Sequence, residues 1–231
     1  MGTMGMNRRS NRRAPAGPPV RPMGATSWRA RRRADGRLEI LRAAARIFRV
    51  RGFAATGMRE IAEAARLSPG NLYNYFHGKE EILYFCQDRV LDRLLEVLAT
   101  VRKKRGPVSE RLRELAVAQV LCLIDEVEGS AAHFEVNALP PRLRARIVEK
   151  RDLYERGVRA LVAEGIRRGE LGTEDATVGT RAFMGALNWT AQWFRREGPE
   201  SPEEVARILA DYVVAGLVGE RARPEDKGGG S

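Results

Sequence analysis

The stretch from Thr56 to Lys79, TGMREIAEAARLSPGNLYNYFHGK, limits what this chain can fold into more than any other. It reads as two short helices joined by a tight turn, followed at once by the start of a third. Thr56 is a suitable N-cap for the first helix, because a threonine hydroxyl can accept an otherwise unbonded amide hydrogen there. Met58, Ile61, Ala62 and Ala65 then recur at helical spacing and define one buried stripe. Ser68 caps the second helix, and Pro69 occupies its first position, where a missing N–H costs nothing. Leu72, Tyr73 and Phe76 follow at three- and four-residue steps, so this helix packs on one side. Gly70, Asn71, Asn74 and the Tyr73 hydroxyl are left facing outward. Two short helices with a polar, small-residue start on the second describe a helix-turn-helix whose second member fits a major groove. The competing reading, a helical hairpin inside an all-α core, has no use for Ser-Pro-Gly-Asn at an exposed helix start.

The charge pattern agrees. The net charge is +11, which draws polyanions irrespective of their sequence. Nine arginines (Arg8, Arg9, Arg12, Arg13, Arg21, Arg29, Arg31, Arg32 and Arg33) precede residue 36 against one acid, Asp35, so nine minus one leaves +8 in the leading segment. Residues 1–35 read as a tail, since Pro15, Pro18, Pro19 and Pro22 interrupt any helix and little apolar material is present. Two readings of it stand: an electrostatic arm along the phosphate backbone or minor groove, and a disordered leader ahead of a later start, as Met4, Met6 and Met23 are also available. Hydrophobic residues make up 43% and charged ones 31%, the balance of a soluble globular chain able to bury a real core. No apolar run has the length of a membrane span and no secretory signal precedes the helices, so the expected location is cytoplasmic. Cys86 and Cys122 are too few for a disulfide framework and read as buried thiols or, alternatively, as a redox sensor.

From residue 36 onward the periodicity is helical throughout, and the expected fold class is all-α. The first helix, 36–51, buries Leu38, Leu41, Ala45 and Phe48 and ends at Gly52. A long helix from Gly78 to about Lys104 carries Leu83, Cys86, Val90, Leu94, Val97 and Val101 on its apolar face. Residues 108–127 are apolar on more than one face and read as the central helix. A short helix over 131–139 holds His133, Phe134, Glu135 and Asn137 before Pro140-Pro141 stops it. Helices over 142–168, 173–196 and from Ser201-Pro202-Glu203-Glu204 to about Gly219 complete the chain. The expected division is a tail over 1–35, a DNA-binding domain over 36–79, a helical body over 80–220, and a flexible end over 221–231.

Nothing in the sequence supports catalysis. His77 and His133 are the only histidines, so no His-based metal site of ordinary spacing exists, and no phosphate-binding glycine loop or nucleophile elbow is present. His133 beside Glu135 is a weak acid–base pair and reads more simply as polar surface. The expectation is no enzyme, no metal and no cofactor.

The run G-F-x-x-T-x-M-R-E-I-A-x-A-A-x-L-S-x-G-N-L-Y-x-Y-F-x-x-K-E-E-I-L, from Gly52 to Leu83, resembles the DNA-binding domain of the TetR family of transcriptional regulators. With its first helix it covers about a fifth of the chain, without a gap. The resemblance implies a homodimeric, ligand-responsive regulator, in most cases a repressor of a palindromic operator. It implies DNA contacts from Thr56, Arg59, Ser68, Pro69, Gly70, Asn71, Tyr73, Asn74, His77 and Lys79. Tyr73 and Lys79 are expected at phosphates, and Pro69, Gly70, Asn71 and Asn74 near base edges. Two departures stand out. Arg66 occupies a turn position where the family often has Gly; at positive φ this costs roughly 1 kcal/mol. Gly57 stands where the family often has Ser or Thr.

In the body, Gly185, Ala186, Val205, Leu209, Tyr212, Val213 and Gly216 are expected at a dimer interface of four helices, the last two from each copy. A pocket is expected between the helices over 108–127, 142–168 and 173–196 and the 131–139 segment, lined by Phe134, Asn137, Tyr154, Asn188, Trp189 and Trp193. The stretch from Gly185-Ala186-Leu187-Asn188-Trp189 through Trp193 looks like TetR members that answer to acyl-CoA thioesters. Arg142, Arg144, Arg146, Arg181, Arg195 and Arg196 are expected around the mouth, where they would hold phosphates. A solvated arginine surface around a pocket for an uncharged lipid is the plain alternative. The rival functions are an efflux regulator answering to a hydrophobic drug, an architectural nucleic-acid binder using only the basic tail, and a small helical enzyme.

Overall fold

A computed structural model describes residues 25–124, 135–195 and 197–219. Every α-helix and single-turn helix there follows from local sequence, and no strand occurs among the described residues. The α-helices are α1 (Ala25–Arg51), α2 (Met58–Ala64), α3 (Pro69–Tyr73), α4 (Lys79–Lys103), α5 (Val108–Ile124), α6 (Pro141–Arg167), α7 (Ala176–Trp193) and α8 (Pro202–Val218), with a 3-10 turn at Val136–Ala138. Proline opens α3, α6 and α8. Ser201 caps α8 by accepting the Glu204 amide at 3.2 Å, and Asp175 caps α7 through the Thr177 and Val178 amides.

Two expectations change. The first helix starts at Ala25, so residues 25–35 are helical rather than tail. The last proline of the leader is Pro22, and the alanines and arginines beyond it are strong helix formers. The chain divides into two units between Asp35 and Gly36. Of the expected 131–139 helix, Val136–Ala138 is a 3-10 turn, and residues 131–134 lie outside the described residues. The expected tails over 1–24 and 221–231 also lie outside them. Cys86 and Cys122 are both buried and not joined in a disulfide.

The larger unit, residues 36–231, holds two hydrophobic clusters. The first gathers Ile40, Phe48, Ile61, Leu72 and Phe76 from α1–α3 with Ile82, Leu83 and Cys86 of α4, and it also takes Leu139 and Ile147. The second gathers Val90, Leu94, Leu98 and Val101 of α4 with Leu112, Leu115 and Val120 of α5, and with residues of α6, α7 and α8. α4 and α6 therefore each contribute to both clusters. Where they run side by side, the Lys150 ammonium donates to Asp88 and Asp92, both at 2.6 Å. The Tyr84 hydroxyl donates to the same Asp88 oxygen at 3.0 Å. At the other end of the body, buried Arg111 of α5 pairs with Glu164 of α6, and Glu164 also takes Arg168 at 3.1 Å.

Candidate DNA-binding face and effector cavity

Leu72 and Phe76 are fully buried and hold the short α3 against α1 and α2. That leaves Ser68, Pro69, Gly70, Asn71, Asn74 and His77 exposed, together with Tyr73 at 51%. Ser68 accepts the Asn71 amide at 3.2 Å, as a cap should. Arg59 is exposed on α2. The turn between the helices passes through Arg66 at φ 55°, with the Leu67 amide on the Ala62 carbonyl at 2.8 Å. The left-handed residue that the family usually fills with glycine is thus an arginine here, with the strain expected of it.

Two residues expected at DNA are used inside the fold. Thr56 is buried at 1% exposure, and its hydroxyl donates to the Gly52 carbonyl at 2.8 Å. The N-cap of α2 is Gly57, whose amide donates to Glu60 Oε2 at 2.8 Å; Glu60 also pairs with Arg51 of α1. Lys79 Nζ donates to the carbonyls of Phe53, Ala54 and Thr56 at 3.0, 3.2 and 2.9 Å, and lies 4.6 Å from the centre of the Phe53 ring. An ammonium has three protons and all three are taken, so Lys79 fastens the α1–α2 loop to the start of α4. The first turn of α4 also carries Glu80 and Glu81, and Glu81 accepts the His77 amide at 2.7 Å. In this structure Lys79 is engaged within the fold, and two carboxylates stand beside it in the first turn of α4.

The body contains a cavity of about 440 Å³ between α4, α5, α6 and α7. Leu91, Leu94 and Met184 supply its apolar wall; Gln119, Arg151, Asp152, Tyr154, Glu155 and Asn188 supply the polar one. Its volume falls within the ~300–1,000 Å³ common for small-molecule sites. A hydrogen-bond chain fixes the polarity of the wall. Tyr154 donates to Gln119 Oε1 at 2.8 Å, and Gln119 Nε2 donates to Asn188 Oδ1 at 2.8 Å. Burial raises the Tyr154 pKa, so the phenol stays a neutral donor. Burial lowers the Arg151 pKa, the mark of a poorly hydrated cation.

Of the expected lining, Tyr154 and Asn188 are in place. Asn137 is exposed on the 3-10 turn, which packs on the first cluster through Val136 and Ala138. Trp189 and Trp193 are 63% and 45% exposed and do not line the cavity. Phe134 and Arg196 lie outside the described residues. Arg142, Arg144, Arg146, Arg181 and Arg195 are exposed and do not line it either. Gln119, Arg151, Leu91, Leu94 and Met184 were missed. The signal for Gln119 was an amide inside the apolar run of α5.

The tryptophans belong instead to an exposed stripe on α7 and α8. Val178, Ala182, Gly185, Ala186, Trp189 and Trp193 are all exposed, as are Ile208, Tyr212 and Gly216 on α8. Val205 is buried in the chain's own core, and Leu209 and Val213 pack against it, so these three are not the exposed part of the face. A β-carbon built on Gly185 or Gly216 meets nothing within 4 Å.

Comparison with known proteins decides the family. The profile of bacterial regulatory proteins of the tetR family matches residues 40–84, and that of the tetracyclin repressor-like C-terminal domain matches 105–217. The crystal structure of the TetR regulator PfmR from Thermus thermophilus is 31% identical, with a TM-score of 0.70 over 77% of this chain and 98% of that one. The chain belongs to the TetR family of transcriptional regulators. The repressor KstR2 of Rhodococcus jostii is a TetR-like relative 29% identical over 78% of this chain and 90% of its own length. AibR, solved with isovaleryl coenzyme A and operator DNA, is 28% identical with a TM-score of 0.66, over 79% of this chain and 98% of that one. No helix among the described residues is long and apolar enough to cross a membrane, and no metal-binding cluster occurs among them.

Lys79 separates a structural from a DNA-contacting role. Lys79→Met should lower stability by about 1–3 kcal/mol, because it frees carbonyls that a charged donor held. The loss should appear in thermal melts without DNA. An unchanged melting temperature with weakened operator binding would return Lys79 to the phosphate backbone.

Proposed function

We propose that the chain is a homodimeric repressor that leaves a palindromic operator when the body cavity takes up an acyl-CoA thioester. The observation that carries this reading is the Tyr154–Gln119–Asn188 chain. It sets amide and phenol groups on the polar wall of the cavity, where a thioester carbonyl would find a donor, and an acyl tail would lie along Leu91, Leu94 and Met184. The likeness to AibR, which binds isovaleryl coenzyme A and DNA, supports the ligand class. A second reading, a lipophilic cation as in drug-responsive regulators, has Asp152 and Glu155 in its favour. Asp152 is exposed, though, and Glu155 already meets Arg159 at 3.6 Å, whereas Arg151 places a partly desolvated cation on that wall. Titrating the protein–operator complex with isovaleryl coenzyme A, longer acyl-CoA thioesters, the free acids and a lipophilic cation tests the reading. Thioesters should release DNA at the lowest concentration; release by the cation alone would favour the second reading.

The operator is read by the exposed start of α3. Asn71 has an amide able to make two hydrogen bonds to adenine. Asn71→Ala should cost about 1–3 kcal/mol, concentrated at one base position. Equal loss on all sequences, random DNA included, would remove Asn71 from base reading.

Dimerisation joins two recognition helices at the spacing of successive major grooves, about 34–36 Å. The exposed apolar stripe of α7 and α8 is larger than scattered surface residues explain, and it suits an isologous interface. Tyr212, 75% exposed, tests it better than the half-buried Val213. Tyr212→Arg should give a helical monomer that no longer holds the operator. A wild-type protein sedimenting as a monomer at micromolar concentration would rule the dimer out.

A further inference from the structure

A second concavity lies along α4 and α6 alone, about 450 Å³ in volume, and it shares no lining residue with the body cavity. Small side chains create it. Gly157 of α6 lets Leu98 of α4 lie against the helix backbone, where a β-carbon would come within 2.3 Å of it. Ala99 and Ala160, both exposed, add no bulk around that contact. Leu95 and Leu153 supply the rest of the apolar lining, and Leu153 is 50% exposed. Arg102 of α4 and Arg156 of α6 complete the groove. Both are exposed, and among the described residues neither is held by an ion pair or a hydrogen bond. Glu155, next to Arg156, is taken by Arg159 at 3.6 Å, and Asp152, one turn earlier, lines the body cavity instead.

We infer that this groove is a separate binding site for a linear aliphatic chain that ends in an anionic oxygen group, a carboxylate or a phosphate. A chain laid along Leu95, Leu98 and Leu153 removes from water apolar surface that the fold leaves wet. Its head group meets two guanidinium groups, whose planar donors match carboxylate and phosphate oxygens in pairs. The sign of the head follows from the lining. No carboxylate lines the groove among the described residues, so a cationic amphiphile of the same shape finds only like charge. The size of the ligand follows from the length. The lining runs from Leu95 to Arg102 on α4 and from Leu153 to Ala160 on α6, about 10 Å each at about 1.5 Å per residue. That length suits a medium chain such as decanoate. A partner protein needs roughly 800 Å² of surface for a stable interface, and the apolar floor is too short to supply it. The site stands whichever ligand the body cavity takes.

Calorimetric titration of the full-length protein tests this with three probes of equal chain length: decanoate, decyl phosphate and decyltrimethylammonium. The anions should bind and the cation should not, and the tighter anion shows which head group the arginines prefer. Binding of the cation as tightly as the anions, or of neither anion, overturns the site. The body cavity is of similar volume, so two full-length variants confined to the groove fix the location. Ala160→Phe fills the groove from an exposed position, and Arg102→Glu combined with Arg156→Glu reverses its charge. Each should keep the wild-type helicity and weaken anion binding about tenfold or more. Wild-type affinity in both variants, or a loss in only one of them, overturns the proposal. A decanoate carrying a photoreactive diazirine at its chain end locates the site without any substitution. Crosslinks should fall within residues 95–102 and 153–160; labelling confined to residues of the body cavity would overturn the groove as the site.

Discussion

The α4–α6 seam is the constraint on which the rest of the molecule depends. A transcriptional regulator must keep its DNA-binding helices rigid among themselves and must also let a distant site move them. In this chain α4 runs through both hydrophobic clusters and α6 lies along it. Each cluster is packed by its own fully buried side chains, so each resists deformation. Between them, polar residues join the apolar ones across the seam: Tyr84, Gln87, Asp88 and Asp92 on α4, and Lys150 and Arg151 on α6. Hydrogen bonds there can be exchanged for others at small net cost, whereas an apolar core cannot be slid without opening voids.

Lys79 shows how much the DNA-binding unit invests in its own rigidity. The loop from Gly52 to Gly57 leaves several carbonyls without helical partners, and one ammonium gathers three of them. The same cation sits over Phe53, whose ring packs on Phe48 at 5.2 Å. Thr56 and Glu60 complete the loop from the other side. A basic residue at the edge of a DNA-binding motif invites assignment to a phosphate. Here its chemistry is spent on holding the loop that places α2 and α3.

The legible parts of the sequence were those governed by short-range rules. Ser68-Pro69 and Ser201-Pro202 announced α3 and α8, and both serines cap as expected. The Gly52–Leu83 run was enough to identify the family. Periodicity also found the right stripe on α7, but periodicity records only that a face is apolar, not what covers it. Trp189 and Trp193 were therefore assigned to a pocket when they lie on the exposed side, and Val205 was assigned to an interface when it is core. The cavity was least legible because four helices build it and no segment contributes more than a few residues. Its best clues were amides in apolar stripes, Gln119 on α5 and Gln87 on α4, both 1% exposed. A buried amide costs stability unless bonded, so its presence in a stripe already asks for a partner. Residues 25–35 were misjudged for a different reason: the prolines upstream were allowed to speak for a segment that contains none.

The glycines carry the same logic to the outer surface. Gly157 is required by the chain itself, since a β-carbon there would come within 2.3 Å of Leu98. Gly70, Gly185 and Gly216 are different. Each sits in a helix, where glycine costs about 1 kcal/mol relative to alanine, and each has open space where a β-carbon would go. Nothing within the monomer accounts for that cost. Gly70 lies at the exposed start of α3, and the other two lie on the exposed stripe of α7 and α8. A surface that approaches a helix backbone closely accounts for all three: the edge of a base pair in the first case, a two-fold-related helix in the others. The small residues thus fall on the two faces that the proposed function requires to be covered.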